Sequence, residues 1–497
     1  MFESSLLSFL TLGPAVAAVV LLLLPDRKPA MHRWIALGVS VAGFLLSLIL
    51  WFRFDADNPG FQFVEQISWI PQFGISYHVG VDGISLLLVL LTTLLVPVVI
   101  LASWTSIDRH VKAFHIALML LTTGMLGAFV ALDLFLFYIF WELMLIPMYF
   151  IIGVWGGPRR IYAAVKFVLF TMAGSLFMLL AILYMAWFAH SEVGIWTYDY
   201  ISLAAIAPQL EMTGLWSPQA LVFLAFALAF AIKVPMFPFH TWLPDAHVEA
   251  PTGGSIILAG VLLKLGTYGF IRFNRAMLPD AWDYFVPLIM VLAVIGIIYG
   301  ALVALVQPDI KKLVAYSSVS HMGYVMLGLA AGTVASTEGA VLQMISHGLS
   351  TGALFLLVGV VYERRHTRLI SDYGGIAGVV PVYTGVFLLV TLSSIGLPGL
   401  NGFIGEFLIL AGTWQVAPMA AVFAGLGIIL GAVYMLWMFQ RVFWNPLVHE
   451  ENRSLSDMNL RELLAVLPLL VLIVWIGIHP TTFLSPVEAA VRALLGS

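Results

Sequence analysis

The sequence predicts an all-α polytopic membrane protein of about fourteen transmembrane helices, and three observations lead there. Hydrophobic residues make up 62% of the 497-residue chain and charged residues only 10%, with a mean hydropathy of +1.03; about a quarter of a soluble domain is charged. About fourteen apolar stretches approach the roughly 20 residues a helix needs to cross some 30 Å of hydrocarbon. The longest polar excursions, near 52–80, 190–217 and 443–461, are loop-sized, so residues 1–497 read as a single integral membrane domain.

Taken from the N-terminus, the first apolar run follows Met1-Phe2-Glu3 with no basic segment ahead of it. It ends at Asp26-Arg27-Lys28 without a small-residue cleavage pattern, and is expected to be retained as the first span. Orientation follows from Lys and Arg. Loops after the odd-numbered spans hold fifteen of the 22 basic residues, from Arg27 and Lys28 through Arg109, Arg159, Lys311 and Arg368 to Arg461, whereas the opposite side holds only Arg53, Arg272, Arg275 and Arg492. The positive-inside rule then puts both termini on the outer side, periplasmic in a bacterial inner membrane, and the odd loops in the cytoplasm.

The fourth to eighth spans and the ninth to thirteenth read as two inverted-topology repeats, 112–272 and 280–442. The seventh span is interrupted by Lys233-Val-Pro235-Met-Phe-Pro238-Phe-His240 and the twelfth by Gly396-Leu-Pro398-Gly399-Leu-Asn401-Gly402. Prolines at membrane depth free backbone carbonyls, tolerable only where protein or water satisfies them. The breaks lie five spans apart; because five is odd, equivalent spans cross in opposite directions, as in many secondary transporters.

Four ionisable side chains sit inside apolar spans: Glu142, Lys233, Lys264 and Glu406. A midplane charge costs at least about 2.5 kcal/mol, so each calls for a partner, a water-filled cavity or a function. Glu142 lies about nine residues into the fifth span with no base at i±3 or i±4, and Lys233 is its candidate partner; a static pair would only fix packing, whereas a switchable one would push a proton on or off the Lys. Lys264, central in the eighth span, has no acidic neighbour in sequence and reads as a proton carrier. His321 and His347 lie within the tenth and eleventh spans, where imidazole can relay protons or simply be a hydrogen-bonded core residue. His240 and His247 are candidates for the entrance, and Tyr316, Ser317, Ser318 and Ser320 could order water nearby. Lys166, six residues past Arg160, reads as a snorkelling interface residue.

The absence of cysteine excludes iron–sulfur ligation, zinc–thiolate sites and disulfides, and no Gly-rich phosphate loop follows a strand-like run. No cofactor or metal is expected in this chain, so redox chemistry belongs to another polypeptide. A net charge of −4 says little about partners; protons and membrane lipids are expected ones, nucleic acid is not.

The stretch from Lys233 to Ser255, continuing to Lys264, closely resembles the antiporter-like subunits of respiratory complex I, the proton-pumping NADH–quinone oxidoreductases, and within them the subunit M or chain 4 type. Gln307-Pro-Asp-Ile-Lys-Lys-Leu-Val-Ala-Tyr-Ser-Ser-Val-Ser-His-Met-Gly323 and Gly396-Leu-Pro-Gly-Leu-Asn-Gly-Phe-Ile-Gly-Glu406 match the second repeat of that family. The resemblance covers essentially the whole chain. It implies that Glu142 pairs with Lys233, that Lys264 is the central lysine, that His321 and His347 are relays, and that Glu406 is the terminal proton-transfer residue. It also implies that subunits L and N flank the chain in the membrane arm, and that FMN, iron–sulfur clusters and quinone bind to other subunits. Glu406 stands where the L and N types usually carry Lys, and the chain stops soon after the fourteenth span, without the long lateral helix of subunit L. Two other classes share features: a sodium/proton antiporter subunit, against which Glu406 argues, and a membrane scaffold, which would gain nothing from a central Lys264.

Overall fold

A computed structural model describes residues 5–496; the opening Met1-Phe2-Glu3 lies outside them. Among the described residues twelve helices are long and apolar enough to cross a membrane, from Leu6–Leu23 to Leu460–Ile478. Shorter helices follow one another in two places: Pro218–Lys233 is followed by Trp242–Glu249, and Pro381–Ser394 by Asn401–Val416. The 22-residue span Leu134–Trp155 is itself two helices meeting at Met144, Leu134–Leu143 and Leu145–Trp155. Pro147, which has no N–H to donate back to Leu143, lies three residues past that joint.

The excursion near 52–80 departs from the all-helical expectation. It folds into an antiparallel hairpin, Gln62–Ile70 against Ile75–Val81, because Phe63, Val64, Ile67, Trp69, Ile70, Ile75 and Val79 are β-branched or aromatic residues that favour extended backbone. Gly74 closes the turn at φ 67, where a Cβ would lie 1.9 Å from the Trp196 carbonyl oxygen; only glycine fits. Glu65 of the hairpin accepts from the Leu7 N–H at 2.8 Å and the Ser8 N–H at 3.2 Å, satisfying donors at the start of the first helix. The hairpin carbonyl of His78 also takes the Leu132 N–H at 2.8 Å, and Leu132 in turn accepts from the Tyr200 N–H at 2.8 Å. One face of the molecule is thereby roofed by hairpin and crossing connections.

Aspartate caps start several helices. Asp82 accepts from Ile84 and Ser85 N–H, Asp133 from Phe135 and Leu136, and Asp309 from Lys311 and Lys312, all at 2.8–3.1 Å. A carboxylate at the positive end of a helix satisfies orphan N–H groups, so these acids have structural work to do.

Burial divides the spans into a centre and a periphery. The most apolar windows of Thr252–Arg275 and Val334–Arg365 are wholly buried and that of Ile310–Ala331 nearly so, while Pro29–Arg53, Pro279–Leu305, Pro418–Trp444 and Leu460–Ile478 turn most of their apolar surface outward. Lys264, His347 and His321 ride on the three central helices. Close approach there needs glycine: a Cβ on Gly323 would lie 2.9 Å from the Ala293 carbonyl oxygen of the neighbouring helix, the small-residue contact that lets membrane helices pack backbone to backbone.

Candidate functional site

The site begins at Lys264, whose side chain is wholly buried. A π-helical turn over Leu258–Leu262 ends two residues before it. The Lys264 ammonium donates to the carbonyl of Ala259, five residues back, in a short contact; π-turns recur at functional positions in helices. Its second partner is His347 Nδ1, at 2.6 Å from Nζ.

From His347 the polar groups continue sideways. The His347 and His321 rings lie 5.7 Å apart between centroids, tilted by 55°. His321 Nδ1 stands 2.8 Å from Glu406 Oε1, and Gln343 donates through Nε2 to that oxygen at 3.1 Å. All are buried, none more than 8% exposed. Beside them is a cavity of ≈10 Å³ bordered by His321, Gln343, His347, Ser350 and Ser393, about the size one water needs. The Nε2 atoms of both histidines and Gln343 Oε1 have no partner among the described residues. Ser350 and Ser393 hydroxyls meet at 2.6 Å and Ser393 donates to Asn401 Oδ1, which joins this cavity to the start of the Glu406 helix.

Lys233 and Glu142 are placed differently. Lys233 ends its helix, 2% exposed, with its ammonium 5.2 Å from the Trp141 ring and 5.6 Å from Phe167. Glu142, half-buried at the Met144 joint, exerts its field on Lys233 but forms no ion pair with it within 4 Å. The cation rests on aromatic faces, which attract it through the ring quadrupole. Lys166, read from the sequence as an interface residue, pairs with Asp245 at 2.7 Å.

His240 and His247 are both buried, with neither ring nitrogen partnered among the described residues. His240 packs 5.1 Å from Tyr299, and His247 stacks on Phe355 at 4.5 Å. A ≈430 Å³ cavity opens near them, walled by Glu249, Ala250, Lys311, Glu363 and Arg368, but neither histidine borders it. Lys311 donates to the Ala250 carbonyl at 2.5 Å and Arg368 to that of Val248 at 2.5 Å, cationic partners for the carbonyl end of Trp242–Glu249.

Sequence reasoning missed Gln343 and Ala259. Gln343 sits one turn before His347, an i, i+4 spacing that puts both on one helix face, so a signal existed. Ala259 had none, since its carbonyl is reached only through the π-turn.

Residues 131–431 match the family model for the NADH:quinone oxidoreductase/Mrp antiporter transmembrane region. The chain belongs to this family. Within it, the chain is 47% identical over 488 residues to NADH-quinone oxidoreductase subunit M of Rhodobacter capsulatus, covering 96% of this chain and 94% of that protein. It is 44% identical over 492 residues to NADH-ubiquinone oxidoreductase chain 4 of Marchantia polymorpha, covering 98% and 97%. A chain of the solved respiratory complex I from Thermus thermophilus with bound NADH superposes with a TM-score of 0.87 at 35% identity, over 99% of this chain and 100% of that one. Members of the oxidoreductase/antiporter family share this helical membrane fold, and the described site lies inside the matched region.

Proposed function

We propose that this chain is a proton-translocating membrane-arm subunit of NADH–quinone oxidoreductase, of the subunit M type. The observation that carries the mechanism is the buried series Lys264, His347, His321, Glu406, held together at 2.6 Å, 5.7 Å between rings and 2.8 Å. Amine, imidazole and carboxylate each bind and release protons, and hydrogen-bond contact is the geometry transfer needs. A water in the ≈10 Å³ cavity beside both rings would bridge the one gap that lacks a direct bond.

Redox chemistry lies in other subunits, which hold FMN, iron–sulfur clusters and quinone; this chain binds no cofactor. Its input is electrostatic. A change in the position or charge of Glu142 alters the field at Lys233, and desolvated lysines respond to such fields by gaining or losing a proton. Lys233 then acts on Lys264, which passes its proton to His347, and the proton moves through His321 to Glu406 and out. His240 and His247 stand on the uptake side.

Twelve long helices and the two interrupted pairs make fourteen spans, with the repeats at 112–272 and 280–442 and discontinuities in the seventh and twelfth. The hairpin face is the outer, periplasmic face of a bacterial inner membrane. Subunits L and N flank the chain, and lipid covers its remaining apolar surface.

The test is NADH oxidation and proton uptake measured together in sealed inverted vesicles carrying Glu142→Gln, with assembly checked on a native gel. Loss of both activities in an intact complex supports the coupled pump, while normal coupling in the variant refutes it.

A further inference from the structure

Of the four basic residues that the sequence puts on the hairpin side, Arg272 is buried, 7% exposed, and lies on the same span as Lys264. Eight residues separate them, about 12 Å along a helix. Its guanidinium forms a short ion pair with Asp82, itself 3% exposed. The cation also lies 5.1 Å from the Phe61 ring of the hairpin segment and 5.0 Å from Tyr268. The Tyr200 hydroxyl donates to the Arg272 carbonyl at 3.2 Å, and the Tyr268 hydroxyl to that of Phe129 at 2.9 Å.

These groups are badly suited to carrying a proton. A guanidinium does not give up its proton in proteins and accepts no hydrogen bond. Two backbone N–H groups, the Ser85 hydroxyl and Arg272 converge on Asp82 Oδ1, which fixes the carboxylate in place. The Phe61 and Tyr268 rings flank the guanidinium. Lys264, by contrast, has a titratable partner sideways, in His347. An arginine fixed beside a pathway is also a standard electrostatic barrier to protons.

We propose that the Asp82–Arg272 pair is a proton seal: it closes the hairpin end of the Lys264 span, so that a proton on Lys264 leaves only through His347 and cannot leak to or from the hairpin side. The proposal rests on the pump reading for its direction of flow, but the seal itself is a property of the resting protein.

The test is the decay of an imposed pH gradient, without NADH, in liposomes holding the assembled complex. Asp82→Asn with Arg272→Gln replaces the ion pair with a neutral, smaller one and retains a helix cap, leaving room for water under Phe61. We expect the gradient to decay several-fold faster than with the parent, potassium permeability to be unchanged, and addition of Lys264→Met to restore tightness. Arg272→Lys, a milder change for the case where the double variant does not assemble, replaces a proton-inert cation with one that can exchange; it should leak less, with the same dependence on Lys264. Parental tightness in assembled variants overturns the seal, and so does a leak that persists with Lys264→Met, because loosened packing would not depend on Lys264. A parent that builds no gradient with NADH would refute the pump reading instead, and the imposed-gradient decay would still decide the seal.

Discussion

Lys264 and His347, 83 residues apart in sequence, meet at 2.6 Å with both side chains buried. The contact ties the Thr252–Arg275 helix to the Val334–Arg365 helix, two spans whose apolar centres are wholly buried. A lysine at this depth is tolerated because the Ala259 carbonyl and the imidazole replace the hydration it has lost.

Lys264→Met keeps the length and apolar stem but removes the ammonium. The complex should assemble, since losing a buried cation also removes its desolvation cost. Proton transfer through the site should slow by about 10²- to 10⁴-fold, the usual weight of a positioned acid or base. Proton uptake per NADH in vesicles is the measurement; parental coupling would remove Lys264 from the pathway.

Glu406→Gln preserves size and hydrogen bonding to His321 while abolishing proton binding at this position. Its thermal stability should stay close to that of the parent, with pumping lost. Gln343→Leu does the reverse, leaving Glu406 ionisable but with one donor fewer, a loss of about 1.5–3 kcal/mol for a bond to a charged group. Melting temperature and proton yield, measured on both variants, should separate the two roles.

Gly323→Val drives a side chain into the Ala293 carbonyl at 2.9 Å and the Ile297 N–H at 3.0 Å. Overpacking of this kind costs about 1–3 kcal/mol. Because Gly323 lies two residues from His321, the displaced helix should also stretch the 2.8 Å contact to Glu406. We expect a lower melting temperature together with reduced pumping, whereas Gly296→Ala, where a Cβ meets nothing within 4 Å, should be neutral.

At the hairpin face, Asp199 offers a stability test outside the spans. Burial alone would raise its carboxyl, but hydrogen bonds from His78 at 2.7 Å and from Ser202 outweigh that and hold it below the usual 3.8. A depressed folded value means stability present above the unfolded value and lost as pH falls through the folded one. Asp199→Asn keeps a helix cap but loses the charged partner of His78, so it should cost about 1 kcal/mol, a penalty that shrinks below about pH 4 as the parent carboxylate protonates. Thermal melts from about pH 3 to 8 check it; a penalty undiminished below about pH 4 would contradict this assignment.

The sequence by itself determined the membrane class, because 62% hydrophobic residues cannot be hidden in a soluble core of this size. It also singled out Glu142, Lys233, Lys264 and Glu406, since a charge among some twenty apolar residues is visible without coordinates. Distances were another matter. Glu142 was expected to pair with Lys233, yet no ion pair within 4 Å joins them, and the Trp141 and Phe167 rings lie near the ammonium. The hairpin at Gln62–Ile70 and Ile75–Val81 was hidden because its strands are short beside the spans.

Only tertiary structure decided which groups touch. That Lys264 meets His347, that His321 meets Glu406, and that Asp82 meets Arg272 across 190 residues depends on how central helices rotate and approach one another. Helical periodicity fixes which residues share a face of one helix. It carries no information about which other helix that face will meet, because apolar spans have no hydrophobic preference among apolar neighbours in lipid, and small-residue contacts and buried polar bonds make the choice.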